Sequence, residues 1–171
     1  MEQSRSTSKA PVSAHAHIDI AADEREVWTV IADIASWPTW NPAVREAVFE
    51  AELETGARFR FSTAFGSMKC RLTEVDAPHT LSWQGRLMAL RQRQTWHIEP
   101  RQEGEGTRVT TDATMTGLGA RLFRVRLNER LQGELDALVH LLKLEAEVRS
   151  TEERQDEERA AEAARRAKAH E

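Results

Sequence analysis

Two histidines, His15 and His17, occupy alternate positions near the start of the chain. If this segment is a strand, both imidazoles lie on one face, at a spacing from which two ring nitrogens could hold a metal ion. A metal site needs at least one further ligand, and the sequence supplies no convincing one. The favoured interpretation is therefore an exposed strand face without a metal.

The chain has one cysteine, Cys70. A single thiol excludes both an internal disulfide and a zinc cluster built from cysteines. Catalysis by Cys70 would require a neighbouring basic group, and the sequence places none beside it. We therefore expect Cys70 to be a small hydrophobic side chain on the inward face of a strand.

Two glutamines, Gln92 and Gln94, alternate with arginines and precede Trp96. This spacing places both amides on the same strand face as the Trp96 indole. A buried amide without a hydrogen-bond partner costs about 1–3 kcal/mol, so a polar group of a ligand, or ordered water, is expected near this pair. Neither amide titrates, so neither can be a general acid or base.

The spacing of apolar residues indicates which elements position these side chains. Residues 14–20 alternate as a half-buried strand, and a helix follows from Asp23, whose spacing to Glu26 fits a capping box. The tryptophan- and proline-rich cluster 37–42 is expected to cap the open end of a sheet or to form the rim of a ligand entrance. Six further strands of an antiparallel meander are predicted over 44–50, 58–64, 67–75, 80–86, 89–99 and 107–116.

Strand parity predicts one apolar face on five of these strands. The opposite face carries side chains such as Arg58, Arg60 and Lys69, which suit solvent. For any single inward residue, filling a core and contacting a ligand are both open. The strand residues that we predict to contact a ligand are Phe59, Phe61, Met68, Cys70, Leu72, Trp83, Gln92, Gln94, Trp96, Thr111, Ala113 and Met115.

A helical period returns after the last strand. Leu118, Leu122 and Val125 fall on one side of an ideal helix, whereas the leucine stripe from 131 to 142 falls on another. We therefore expect a kink or a short separate helix near 126–128. The long C-terminal helix must cover the sheet. The remaining residues predicted to contact a ligand are Leu122, Leu131 and Leu135 from this region and Trp40 from the aromatic cluster.

The two ends of the chain differ in composition from its body. Residues 149–171 contain no large apolar side chain and cannot bury a face. We expect three parts: a disordered N-terminal tail over 1–13, a ligand-binding domain over 14–148, and a charged, partly helical C-terminal tail over 149–171. A protein partner that binds this C-terminal tail is an alternative to simple solvation.

Length and charge narrow the classes of function. A chain of 171 residues suits one domain, and it has no apolar run long enough to span a bilayer. With 24 Lys and Arg against 28 Asp and Glu, it has no overall basic footprint for nucleic acid or an anionic membrane. The N-terminus lacks the apolar stretch of a secretory signal, so we expect a cytoplasmic protein. Neither a glycine-rich phosphate loop nor a ligand cluster occurs, so no cofactor is implied.

Five segments occur in a fixed order along the chain. They read EVWTVI at 26–31, WPTWNP at 37–42, LTEV at 72–75, GTRVT at 106–110 and GL at 117–118. This ordered set resembles the SRPBCC superfamily and, within it, the polyketide cyclase/dehydrase and lipid-transport group, over about residues 14–146. The resemblance implies an α+β START-like helix-grip fold: a seven-stranded curved antiparallel sheet wrapped around a long C-terminal helix, with two short helices after the first strand and a hydrophobic cavity inside.

The resemblance also implies what a catalytic member would need. Cyclases and dehydratases of the family are expected to orient a polyketide with a few polar cavity groups, often Arg, Tyr, His or a carboxylate. This chain has no tyrosine, and Ala113 and Gln94 stand where many relatives carry Glu and His. Arg86 and Glu74 are the polar candidates left, and a surface position is favoured for both.

We therefore expect a non-catalytic binder or carrier of a small hydrophobic or aromatic molecule, such as a lipid, a polyketide or an isoprenoid. The first alternative is a polyketide aromatase/cyclase or dehydratase. The second is a regulatory module that interacts with proteins through its C-terminal tail.

Overall fold

The computed structural model describes residues 12–168. It contains seven strands and four helices, with one 3-10 turn, Ile34–Ser36, before the second helix. The strands are β1 (Val12–Ile20), β2 (Glu46–Val48), β3 (Arg58–Thr63), β4 (Gly66–Asp76), β5 (Thr80–Leu87), β6 (Leu90–Pro100) and β7 (Thr107–Thr116). The helices are α1 (Glu24–Ala32), α2 (Trp37–Trp40), α3 (Leu118–Leu122) and α4 (Arg124–Lys168).

The strands form one antiparallel sheet in the order β1-β7-β6-β5-β4-β3-β2. This confirms the predicted curved sheet with a long C-terminal helix and short helices after the first strand.

Two strand boundaries differ from the prediction. Strand β1 begins at Val12, inside the segment predicted to be a disordered tail, because Val12 pairs with Met115 and is fully buried. Strand β2 keeps only three of the seven predicted residues. Residues 1–11 lie outside the described part of the chain.

Helix α1 begins as the spacing predicts. The Glu26 amide donates to the Asp23 carboxylate over 2.9 Å, and the Asp23 amide donates to the Glu26 carboxylate over 2.7 Å. These two bonds satisfy backbone donors that a helix start leaves unpaired. The helix then buries Val27, Val30 and Ile31 against the core.

The helical C-terminal region is interrupted at Phe123, which is the C-cap of α3. A break was predicted because the two apolar stripes lie on different sides, but at 126–128 rather than here. Helix α3 ends at Leu122, whose side chain is exposed, and a separate helix α4 begins at Arg124. The buried face of α4 begins at Leu131. None of the described helices is long and apolar enough to cross a membrane.

Helix α4 also covers the free backbone edge of β1. The β1 amides of Ser13 and His15 donate to the side chains of Asn128 and Gln132, over 3.0 and 3.2 Å, and Lys143 donates to the Asp19 carbonyl over 2.7 Å. An uncovered edge strand invites pairing with another chain. These bonds fix α4 along that edge and thereby place its leucines over the inner face of the sheet.

A β-bulge changes the face of one predicted polar candidate. The register of β4 on β5 shifts between Leu72 and Glu74, so Thr73 is the extra residue. A bulge reverses the alternation of side chains beyond it. Glu74 is therefore exposed, although it shares parity with the fully buried Leu72. Arg86 is exposed as well, so neither side chain faces the interior.

Candidate ligand-binding cavity

A cavity of about 600 Å³ lies between the inner face of the sheet and α4. Its walls come from strands β3 to β7, from the leucines of α4 and from α2 with the segment that follows it. Cavities of roughly 300–1,000 Å³ with apolar walls are typical small-molecule sites. The helix-grip arrangement produces this space because α4 lies along β1 and crosses the concave sheet without filling it.

Most of the predicted site residues meet at this cavity. Trp37 and Trp40 of the segment 37–42 line the cavity, and their contact with a ligand stays a prediction. The predicted residues that line the cavity are Trp40, Phe61, Met68, Trp83, Gln92, Gln94, Trp96, Met115, Leu131 and Leu135.

Six predicted residues do not line the cavity. The side chain of Leu122 is 72% exposed on α3, which ends at the break at Phe123. The other five are buried but form no part of the cavity wall. These five are Phe59, Cys70, Leu72, Thr111 and Ala113.

The prediction also missed residues that line the cavity. Leu87 and Leu90 flank the β5–β6 turn. Leu87 lies one residue beyond the predicted end of its strand, whereas Leu90 lies inside the predicted strand 89–99 at the same parity as Gln92 and Gln94, so extending parity to it would have found it. Leu138 belongs to the leucine stripe that the sequence shows, and extending the site along that stripe would have found it. Arg130 and Glu134 lie one turn apart on α4, and no sequence signal distinguishes them from other exposed charges.

Four aromatic rings pack together beside the cavity, those of Trp37, Phe59, Phe61 and Trp83. The Trp83 ring meets the rings of Phe59 and Phe61 edge-on, at centroid distances of 6.0 and 5.5 Å. Trp37 approaches the same two phenylalanines edge-on, at 5.7 and 5.9 Å. Edge-to-face pairs of this kind stabilise a rigid arrangement. The cluster therefore gives the cavity a preformed aromatic wall.

Two indole donors in this wall have no partner among the described residues. Trp40 Nε1 and Trp83 Nε1 are both buried and form no hydrogen bond, whereas Trp37 Nε1 donates to the Ile31 carbonyl over 3.0 Å. Leaving a buried donor unpaired costs about 1–3 kcal/mol. Acceptor groups beside the wall would remove that cost.

The glutamine pair divides into one held amide and one free amide. Gln94 Nε2 donates to Thr111 Oγ1 over 3.1 Å, and the Thr111 hydroxyl donates to the Thr95 carbonyl over 3.0 Å. This chain fixes Gln94 at the cavity wall. Gln92 also lines the cavity, and its side-chain amide forms no hydrogen bond with residues 12–168. Both amides thus lie where a polar group of a ligand could meet them.

Few charged groups reach the cavity. Those that line it are Arg45, Arg130 and Glu134. Arg130 donates to Glu134 over 2.8 Å and lies 3.6 Å above the centre of the Phe65 ring. Arg130 and Glu134 are each about half exposed, so they mark an opening to solvent rather than the interior.

The Cys70 thiol is unsuited to catalysis. It is buried, and burial raises its pKa to about 12. A nucleophilic cysteine needs the thiolate form near neutral pH. The thiol instead packs against Met68 and Gly85, as expected of a small hydrophobic side chain.

The histidine pair lies outside the cavity. The rings of His15 and His17 are 6.2 Å apart on the outer face of β1, and His15 Nδ1 is 2.8 Å from the Asp112 carboxylate. Within residues 12–168, no three His, Cys, Asp or Glu side chains converge as ligands of a metal ion. The partner of His15 is therefore the Asp112 carboxylate at the surface, not a metal ion.

The comparisons with known proteins agree with this geometry. The family described as polyketide cyclase / dehydrase and lipid transport matches residues 11–147. The chain belongs to this family. The assignment confirms the SRPBCC-type resemblance and the START-like fold, and it associates the cavity with hydrophobic ligand binding or cyclase activity. A search of curated proteins finds no sequence that matches.

Several solved structures have folds similar to that of this chain at low sequence identity. The hypothetical protein jhp0584 from Helicobacter pylori has a TM-score of 0.74 at 14% identity, covering 85% of this chain and 94% of its own. A START superfamily protein from Mycobacterium smegmatis has a TM-score of 0.58 at 14% identity, covering 76% and 98%. The di-domain ARO/CYC StfQ from the steffimycin biosynthetic pathway has a TM-score of 0.69 at 18% identity, covering 82% and 52%. These likenesses show the fold alone.

Proposed function

We propose that this protein is a cytoplasmic binder or carrier of a small, uncharged, mainly apolar molecule that bears hydrogen-bond acceptors. The observation that carries the proposal is the preformed cavity of about 600 Å³, whose wall is built from leucines and aromatic rings. The unpaired indole donors of Trp40 and Trp83, and the free amide of Gln92, favour a molecule with carbonyl or hydroxyl oxygens. Lipids, polyketides and isoprenoids fit this description.

The distribution of charge supports carriage over catalysis. General acid–base catalysis uses a group that changes its charge near the working pH, held against the substrate. The only carboxylate in the wall, among the described residues, is Glu134, which is half exposed and paired with Arg130. The deeper wall offers amides, indoles and hydrocarbon, which can hold and orient a ligand.

The experiment that tests carriage is native mass spectrometry of the freshly purified protein, followed by denaturing extraction. We expect an added mass that disappears on denaturation and an extracted compound that is uncharged and apolar. A protein that shows only its own mass, and that also fails to take up the uncharged fluorescent probe N-phenylnaphthylamine, would contradict the proposal.

A polyketide aromatase/cyclase or dehydratase is the second candidate, favoured by the family match and by the likeness to an ARO/CYC structure. The double substitution Gln92→Leu/Gln94→Leu separates the two. A carrier should keep its affinity for the apolar probe, since hydrocarbon replaces amide in an apolar wall. An enzyme that uses these amides to orient a reacting carbonyl should lose turnover of its polyketide substrate.

A further inference from the structure

Large apolar side chains are exposed around one end of the molecule. The β3–β4 and β5–β6 turns lie at the same end of the strands, because alternate turns of an antiparallel meander fall at the same end. Strand β7 also ends there and leads into α3. Met88, at the tip of the β5–β6 turn, is 92% exposed. We call this set the apolar collar; it comprises Phe65, Met88, Leu118, Leu122, Phe123 and Val125, each more than half exposed.

The apolar collar adjoins the opening of the cavity. Phe65 is exposed and also lines the cavity. Leu90 lines the cavity and lies against Gly119 of α3. Leu127, another lining residue, follows Phe123 by one helical turn and donates to its carbonyl over 3.0 Å. The collar is therefore a rim around the cavity mouth rather than a set of scattered surface residues.

Arginines are interleaved with this rim. Arg121, Arg124 and Arg126 alternate with the collar residues of α3 and α4, all three are exposed, and none has a salt bridge within the described part of the chain. The sequence from 113 to 128 contains no Asp or Glu. Arg130 stands over Phe65 at the mouth itself. The nearly balanced total charge hides this local cluster of one sign.

We propose that the apolar collar and its arginines lie on the surface of an anionic lipid bilayer, with the cavity mouth facing the lipid. Exposed apolar side chains flanked by basic residues are the combination that binds the headgroup region: hydrocarbon is buried at its boundary and arginine pairs with phosphate. The contact is peripheral and crosses nothing. The proposal does not depend on which molecule occupies the cavity.

The shape of the collar favours lipid over a protein partner. Its members project from two hairpin turns and one helix junction. A protein partner would have to match these separate projections with a shaped surface, whereas lipid headgroups rearrange around them. A mouth held against the bilayer would also let an apolar ligand enter or leave without crossing water.

The arginine part of the proposal is tested by co-sedimentation with vesicles of phosphatidylcholine, with or without one third phosphatidylglycerol. The wild type should bind the anionic vesicles at low salt, and high salt should abolish this binding by screening the charges. Arg121→Gln/Arg124→Gln should weaken that binding about 30-fold, the effect of two basic residues near the surface. The matched control Arg159→Gln/Arg165→Gln, which removes two exposed arginines from the end of α4, should leave binding unchanged.

The apolar part is tested by Leu122→Ser/Phe123→Ser against the control Leu144→Ser/Val148→Ser, which removes two exposed apolar side chains of α4 outside the collar. Only the collar variant should lose vesicle binding, and it should keep its affinity for N-phenylnaphthylamine in solution, so a defect of the cavity is recognised separately. Equal losses in both double variants, or equal binding to both vesicle types, would overturn the proposal. So would a wild type that binds no vesicle and instead forms a dimer that the collar variant cannot form.

Discussion

At the scale of single residues, the cavity depends on how its few polar groups are paired. Gln94 is held by the Thr111 hydroxyl, which is itself anchored on the Thr95 carbonyl. The Trp40 and Trp83 indoles have no such anchor among the described residues. A wall of this kind has one fixed amide and several donors still available to a ligand.

Thr111→Val should destabilise the protein by about 1–3 kcal/mol, because the Gln94 amide is left buried beside a methyl group. Adding Gln94→Leu to this variant should recover most of the loss, since both polar partners are then gone. Urea unfolding of the wild type, the two single variants and the double variant measures the coupling. Additive effects would show that Gln94 does not depend on Thr111.

The buried thiol predicts a pH dependence. Burial raises the pKa of Cys70 from 9.0 to about 12, so the folded chain keeps a proton that the unfolded chain loses between these values. This contribution to stability is complete below pH 9 and declines as the pH rises towards 12. Cys70→Ala should make the alkaline decline shallower, as measured by urea unfolding over a pH series. An identical decline in the variant would mean that the thiol titrates normally.

At the scale of elements, close packing between strands controls the sheet beneath the cavity. A Cβ on Gly85 would lie 2.6 Å from both Cys70 Sγ and Met68 Sδ, whereas a Cβ on Gly133 of α4 would meet nothing within 4 Å. Strand β5 therefore needs glycine where β4 passes it. The same substitution should have opposite effects at these two positions.

Gly85→Ala should destabilise the protein by about 1–3 kcal/mol through overpacking. Gly133→Ala, in an exposed helical position, should stabilise it by about 0.4–1 kcal/mol by restricting the unfolded chain. Thermal unfolding of the two variants gives the comparison. If Gly85→Ala were as stable as the wild type, the sulfur atoms of Cys70 and Met68 would not lie this close to Gly85 in solution.

Helix α4 consists of a packed part and an exposed extension. Its last buried residue is Ser150, and every described residue after it is exposed. A chain that ends at Ser150 should unfold within about 0.5 kcal/mol of the wild type and bind N-phenylnaphthylamine equally well. A chain that ends at Leu138 should not fold, because Val139, Leu142 and Ala146 are core residues. Loss of stability in the longer truncation would assign the extension a structural role.

Much of this arrangement follows from periodicity. Alternation located all seven strands, and the leucine stripe located the part of α4 that lines the cavity. Periodicity alone misleads where the backbone departs from regular geometry. Strand parity would turn Glu74 inwards, but a bulge turns it outwards, to the surface position that we favoured; the helical period grouped Leu122 with the cavity, but the break at Phe123 leaves it exposed. Parity also cannot tell a cavity wall from the core behind it, as Phe59 and Thr111 show, since that depends on how far α4 stands from each strand.

At the scale of the whole molecule, the fold leaves space where a smaller domain would be filled. The sheet is closed along the β1 edge by α4, and tryptophans of α2 line the cavity, whose mouth adjoins the apolar collar. The net charge of the chain does not indicate the local cluster of arginines at the collar, because carboxylates and arginines are segregated along the chain. The central claim is that the space binds an apolar molecule.

Titration of N-phenylnaphthylamine into the wild type, Leu138→Trp and Leu144→Trp tests this claim most directly. Leu138 lines the cavity and Leu144 of the same helix is exposed outside it, so one indole fills the space and the other does not. We predict saturable binding to the wild type and to Leu144→Trp, with affinity at least about tenfold lower for Leu138→Trp, a difference of roughly 1.4 kcal/mol. Equal affinity in all three proteins, or no binding to the wild type, would contradict the account.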